Sequence, residues 1–417
     1  MMRQYLAFKK KHQDAVLLFR MGDFYEMFFD DARTAARVLG LALTSREKGE
    51  NAVPMAGFPH HAAESYIRRL IEAGYRVAVC EQVEDPRQAR GLVERDVTRI
   101  ITPGTLTEEG ILDRRTNNFL AAVCGGEPGF GLAWVDLSTG AFEVEDVPPE
   151  TLGDSLRRIS PSECLLPEAE GIEEERGHPA LAELPEGCLV TRRPRWEFSL
   201  EDARRRLNEH FRTAGLDGFG CRDLGPAISA AGAVLAYLQE TQKGQLGHIK
   251  RITPFSGSLY LVLDKTTQRS LELVQTMRGA DQQGTLLAVL DATQTPLGAR
   301  LLRRWVLTPL KDKSEIEARL DAVEELVGDS ALRRRLTDPL RGIHDIERLA
   351  TKISCVRANA RDLLALCRSL EQVPTLGGEL RHSGAELLRA VGNRLDPLPE
   401  VVGLIASAIH PDPPLAL

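Results

Sequence analysis

The sequence predicts a multidomain protein that is α/β over residues 1–243 and all-α from residue 259 onward. Three observations predict this. Short apolar runs alternate with amphipathic helical stretches over residues 1–104, the pattern of a compact domain built on a mixed sheet. Three further apolar runs follow Asn118, separated by glycine-rich turn signals, as in an antiparallel meander. From Thr266 the pattern is helical almost throughout, with dense Arg and Glu. At 417 residues, the chain has room for two to four domains.

Met1–His12 reads as a short helix with a basic end, Lys9-Lys10-Lys11, most simply a solvated terminus. Ala15–Phe19 suits a buried strand, and Arg20–Gly22 a tight turn. A helix is then expected from Asp23, with Tyr25, Phe28, Phe29, Ala32, Ala35, Ala36 and Leu39 in one stripe and Gly40 closing it. Leu41–Thr44 is a candidate strand, and Ser45–Asn51 a polar exposed loop carrying Arg46 and Lys48. Val53–Ala56 follows as a short strand, with Pro54 marking an edge. His60–Ala73 is an amphipathic helix ended by Gly74. Tyr75–Cys80 and Arg99–Thr102 complete the first domain, 1–104, and 105–117 is a polar linker.

The second domain, 118–243, opens with Phe119–Val123, Gly131–Val135 and Ala141–Val144. Leu152–Ile159, Glu163–Leu166, Leu200–Ala214 and the apolar helix Ala227–Glu240 follow. Residues 244–258 form a second linker. In 259–417, helical stretches are expected around Leu271–Met277 and at Leu286–Leu290, Leu297–Val306, Ile316–Val327 and Ile343–Leu370, long enough in places to act as rigid levers. Arg333–Arg335 is most simply a solvated helix face.

The stretch Met21-Gly-Asp-Phe-Tyr-Glu-Met-Phe28 stands out. It presents a bulky aromatic, Phe24, and a carboxylate, Glu26, beside a strand end. Asp23 and Glu26 also fit a D-x-x-E capping box, and Phe24 an ordinary core position.

Gly22-Asp-Phe-Tyr-Glu26 resembles the mismatch-reading motif of the MutS family. Val53-Pro-Met-Ala-Gly-Phe-Pro-His-His-Ala62, Val77–Gln82 and Arg99–Thr105 resemble family blocks too. So do Leu290–Gly298 and Leu301–Trp305, and all fall in the family's order across nearly the whole chain. The resemblance implies a mixed α/β mismatch-recognition domain, a ribonuclease-H-like connector domain and the first half of a helical lever (core) domain, ending at the start of the clamp. It implies that Phe24 wedges into the stack at a mispair or small loop from the minor-groove side, while Glu26 hydrogen-bonds the displaced base. A wedge that unstacks a step costs about a few kcal/mol, and less where pairing is already weak, so selectivity comes from deformability. Beside DNA, a carboxylate is tolerable if it accepts a donor from a base edge or is itself protonated. DNA contacts are expected at Tyr25, Arg46, Met55 and Arg76, with backbone contacts near Thr44 to Arg46 and Pro54 to Gly57. The implied partners are mismatched double-stranded DNA, a second copy in a homodimer, and a MutL-type protein that docks on the connector.

Formal net charge is −7, which excludes a histone-like basic binder. Residues 1–104 carry 16 Lys/Arg against 14 Asp/Glu, a local net of +2, so DNA contact must come from where charge is placed. The seven cysteines are scattered and lack a C-x-x-C pair, consistent with reduced thiols and no zinc site. No signal peptide opens the chain and no apolar run approaches membrane-spanning length, so a cytoplasmic protein with no membrane partner is expected.

No G-x-x-x-x-G-K-[ST] occurs. The resemblance places ATP and Mg in the full-length family, as a DNA-dependent ATPase, and none in this chain, which is expected to bind without chemistry. Two other readings stay open. A ribonuclease-H-like nuclease would need several carboxylates around two metal ions; Asp136, at a strand end, is one candidate, and a turn before Ser138-Thr-Gly140 explains it equally. A truncated interaction scaffold would have kept the helices and the connector without reading mispairs.

Overall fold

The computed structural model describes residues 1–45, 52–84, 93–108, 110–127, 129–171, 177–243, 245–277 and 282–414. It divides into two units. One comprises Met1–Leu112, Asn118–Pro149 and Ile159–Thr253; the other comprises Asp113–Asn117, Glu150–Arg158 and Pro254–Leu417.

The first unit contains two six-stranded sheets. The first runs in the order β3-β4-β2-β1-β5-β6, with β1 Ala15–Met21, β2 Phe24–Phe28, β3 Thr44–Ser45, β4 Pro54–Pro59, β5 Arg76–Gln82 and β6 Arg95–Ile101. β1 pairs with β2 as an antiparallel hairpin and with β5 in parallel, so this sheet is mixed. Period-two alternation sends Ala15, Leu17 and Phe19 to one face and Val16 and Leu18 to the other. Helix α1 (Met2–Lys11) covers the first face through Tyr5, whose ring meets Phe19 and Phe28 edge-on. Helices α2 (Phe29–Leu39) and α3 (Ala63–Glu72) cover the second. The basic end of α1 is partly committed inward, since Lys9 Nζ bonds Asp31 at 2.8 Å and the Ala15 carbonyl at 2.7 Å.

The helix expected from Asp23 begins only at Phe29; residues 24–28 are a strand. β2 pairs with β1 on one edge and β4 on the other, and it is buried on both faces beyond its first residues. A doubly buried strand reads as a continuous apolar run, which the helical period can absorb. Gly40 does close α2, in the left-handed region at φ 69°. The strand expected at Leu41–Thr44 shortens to Thr44–Ser45.

The second sheet has the order β11-β10-β7-β8-β9-β12. Strands β7 (Phe119–Gly125), β8 (Phe130–Asp136) and β9 (Ala141–Val147) form the expected antiparallel meander. β10 (Glu163–Pro167) lies parallel to β7 and to β11 (Leu189–Arg193), a strand that the sequence pattern did not reveal; two-residue β12 is Thr253–Pro254. The helix Pro226–Thr241 is buried along most of its length against this sheet.

Glu163 joins the two sheets. Its fully buried carboxylate accepts from Thr102 Oγ1, from Gly104 N at 3.1 Å, and from Thr191 Oγ1 and Tyr237 OH at 2.7 Å each. Burial, reinforced by this carboxylate, pushes the Tyr237 hydroxyl well above its ordinary range. Such a carboxylate is tolerated in the interior because donors from residues 102–104, β11 and the helix Pro226–Thr241 converge on it.

The second unit is helical from Lys265, but its described helices are short, none exceeding 16 residues. The continuous helix expected over Ile343–Leu370 is two, Ile346–Ser354 and Ala360–Glu371. Val356 between them takes φ 54°, and Asn359 starts the second with a reciprocal capping box to Asp362. The residues around Leu271–Met277 lie outside any helix; Lys265–Ser270 forms one instead, capped by Asp264.

Within this unit, Arg300 and Arg348 clasp residues 113–117. Arg300 makes a two-pronged pair with Asp345 at 2.7 and 2.8 Å, bonds Glu347 at 2.6 Å, and donates to the Arg114 carbonyl at 2.9 Å. Arg348 donates to the carbonyls of Asp113 at 3.1 Å and Thr116 at 3.0 Å. Both arginines are buried. Arg300→Met takes the two-pronged partner from buried Asp345, leaving it Arg348 Nε at 3.8 Å, and removes the donor to the Arg114 carbonyl. We expect a loss of about 3–5 kcal/mol, read as a lowered urea midpoint for the helical unit.

Candidate nucleic-acid interface

The hairpin between β1 and β2 is built from the residues that the sequence singled out. Met21 and Phe24 are its last paired residues, leaving Gly22 and Asp23 as a two-residue loop. Gly22 takes φ 59°, the positive value that tight hairpins demand at the first loop position. The loop is anchored on two sides. His60 N donates to the Asp23 carbonyl at 2.8 Å, and Arg20 Nε donates to the Gly22 carbonyl.

Because β2 is a strand, Phe24 and Glu26 share a face, about 7 Å apart along the chain. On the expected helix they would have pointed about 160° apart. Phe24 is 46% exposed at the sheet's rim and lies opposite Met21 on β1 and Pro59 on β4. Glu26 is half-buried, between Phe19 and Gly57. A Cβ at Gly57 would come to 2.8 Å from the Tyr25 carbonyl, so only glycine leaves this strand pair undisturbed. The capping box read from Asp23 and Glu26 is not formed, since no helix starts there.

The other expected contact residues fall in different places. Met55 sits on the same sheet face, opposite Phe28, and packs half-buried onto the core under α1. Tyr25 turns to the opposite face, is 6% exposed and donates its hydroxyl to Glu81. Burial and the neighbouring Glu81 charge raise its hydroxyl far above the ordinary value. As a core residue, Tyr25 is a support behind Phe24 rather than a surface group. Arg76 stands apart from the hairpin rim, at the far end of β5, where its guanidinium bonds Asp14 and the Tyr237 hydroxyl. Arg46 lies outside the described residues. The backbone at Thr44–Ser45 and Pro54–Gly57 forms the β3–β4 edge of the sheet.

Asp136 is fully buried, and its carboxylate accepts from Ser138 N at 2.9 Å and Ser138 Oγ at 2.6 Å, closing the turn into β9. Among the described residues, no group of three or more His, Cys, Asp or Glu side chains is placed to hold a metal ion. The seven cysteines are free thiols. No described helix is long and apolar enough to cross a membrane.

Family models for MutS domain I, MutS domain II and MutS domain III match residues 1–110, 118–250 and 266–417. The chain belongs to the MutS family. The DNA mismatch repair protein MutS of Symbiobacterium thermophilum is 47% identical over the full length of this chain. Those of Pelotomaculum thermopropionicum and Desulforapulum autotrophicum are 45% and 44% identical, again over the full chain. In each case the chain spans 48% of the relative's length, about half of a MutS protein. The hairpin carrying Phe24 and Glu26 thus belongs to MutS domain I, and the Asp136 turn to domain II.

The placement of Phe24 and Phe28, on one strand and one face but at different depths, predicts unequal stability effects. Phe24→Ala changes stability by about 0.5 kcal/mol or less, as at exposed sites. Phe28→Ala, 1% exposed, costs about 3–5 kcal/mol. Equilibrium urea unfolding of the two variants separates them.

Proposed function

We propose that this chain recognises mispaired or looped duplex DNA in mismatch repair, with Phe24 as the wedge and Glu26 as the reader of the displaced base. The observation that carries the reading is an exposed aromatic on a central, doubly hydrogen-bonded strand, with a carboxylate two residues on and on the same face. A rigid strand suits a wedge, since unstacking costs about a few kcal/mol per step and a mobile support would yield before the stack does. A mispaired step opens more cheaply, and that difference is the selectivity. Glu26 accepts a hydrogen bond from a displaced base that has lost its partner. At a matched step no such donor is free, and the carboxylate is left against the phosphate field.

Membership of the MutS family, whose relatives are DNA mismatch repair proteins, supports this reading. The net charge of −7 does not oppose it, because phosphate contact depends on local placement. On the same reading, a second copy of the chain and a MutL-type protein at domain II are its protein partners. The nuclease alternative loses its main support with Asp136 engaged in a turn.

Fluorescence anisotropy on a duplex with one G·T mispair, against its matched twin at one fixed salt concentration, tests the proposal. Wild type prefers the mispair, and Phe24→Ala loses that preference. Glu26→Gln strengthens binding to the matched duplex and so narrows the ratio. Equal affinity for both duplexes in folded wild-type protein would sink the reading.

A further inference from the structure

The hairpin that carries Phe24 rests on a buried arginine from a strand it does not touch. Arg95 opens β6, with β5 between it and β1. Its side chain nevertheless reaches the last residues of β1. Nε donates to the Arg20 carbonyl at 2.9 Å, and Nη2 approaches the Met21 sulfur at 3.7 Å. Nη1 donates to the Val93 carbonyl at 2.9 Å and to Gln4 Oε1 of α1 at 3.4 Å. The guanidinium lies 5.1 Å from the Phe19 ring centroid. Arg20 and Met21 are the residues paired with Tyr25 and Phe24, so Arg95 braces the strand opposite the wedge.

Arg95 is 8% exposed, and each of its hydrogen-bond partners is neutral. Among the described residues, no carboxylate forms an ion pair with it. Desolvation lowers its affinity for the proton. An apolar side chain of similar volume would fill the same space without the cost of burying a charge. What an apolar side chain lacks is the planar fork, which fixes several acceptors at once. The fork here ties together α1, the approach to β6 and the end of β1.

We infer that Arg95 is a positioning residue for mismatch reading, holding the β1 end of the hairpin so that Phe24 meets the base stack at a fixed height and angle. The inference rests on the reading of Phe24 as the wedge. Its burial and its engaged donors separate this role from that of a phosphate contact, which would act on matched and mispaired duplex alike. Without the brace the hairpin samples poses that cannot insert Phe24. Affinity for a mispair then falls in proportion to the competent fraction, while affinity for matched duplex, which does not use the wedge, is unchanged.

The experiment uses the whole chain with duplexes carrying 2-aminopurine beside a G·T mispair, whose fluorescence rises when the neighbouring step is unstacked. Wild type, Arg95→Met, Arg95→Lys and Phe24→Ala are compared after their folding is confirmed by circular dichroism. We expect Arg95→Met to lose about tenfold in mispair affinity, as when about a tenth of molecules remain competent. It should also lose the fluorescence rise while keeping matched-duplex affinity within about twofold. Arg95→Lys, with the charge but no fork, should fall between. Should Arg95→Met fail to fold, Arg95→Lys is read alone for the same selective loss. If Phe24→Ala loses mispair preference and the Arg95 variant does not, the positioning role is overturned and the wedge stands. An equal loss on both duplexes also overturns it, in favour of a phosphate contact or a general structural role. If Phe24→Ala matches wild type, or neither duplex is bound, the reading of the wedge itself fails, and this inference with it.

Discussion

The surface that presents Phe24 and Glu26 depends on the double pairing of one short strand. β2 is hydrogen-bonded to β1 and to β4, and a slip of one residue against either would turn Phe24 and Glu26 into the sheet and expose Tyr25 and Met27. The register is held because Tyr25, Met27 and Phe28 are all buried, on two different faces. Burial on both sides makes the wrong register costly, and that cost keeps the aromatic and the carboxylate facing outward together. Gly57 contributes by being small, and Gly22 by accepting the turn.

Electrostatics around the hairpin are arranged through backbone as much as through ion pairs. Arg20 lies behind the sheet with Glu81 and over the Tyr25 ring, while Arg95 lies in front against carbonyl oxygens. Two arginines thus straddle β1 in a chain whose total charge is negative. The sum of charges says little about a surface of this kind. What matters is which cations are held near the rim and which are spent on internal acceptors, as Arg76 is on Asp14 and Tyr237.

Much of this architecture was legible in the sequence. The meander after Asn118, the helix closed by Gly40 and the helical character beyond Thr266 follow from periodicity and turn residues that the structure keeps. The motif Gly22–Glu26 was legible as an unusual pair of side chains, but not as a strand. Local pattern cannot distinguish a strand buried on both faces from a helix start when the partners, β1 and β4, lie on either side in sequence. A different limit hid β11, whose residues are all half-buried and show no inward–outward alternation. Tyr25 already stood in the apolar stripe of the expected helix, and only the family resemblance placed it among the DNA contacts; the strand keeps it in the core, on the face opposite Phe24. Arg95 gave no signal, since its acceptors come from α1, β1 and its own approach, distant in sequence and mostly backbone. The break at Val356–Asn359 was written in the Asn359–Asp362 cap, which a strong apolar period overshadowed.

The stretch 113–117 joins the first sheet to the second in sequence, yet it is held by buried arginines of the helical unit. Ordinary interdomain spacers tolerate insertions and changes of composition because nothing recognises their backbone. Here carbonyls at Asp113, Arg114 and Thr116 are each claimed by a guanidinium, and Arg115 is paired with Asp291. Evolution can therefore vary the side chains of this stretch more freely than its length. An added residue would shift the carbonyls out of register with Arg300 and Arg348 and take carbonyl acceptors from both buried guanidinium groups. A chimera that exchanged the first domain between relatives would have to cut elsewhere, before the clasp or after it.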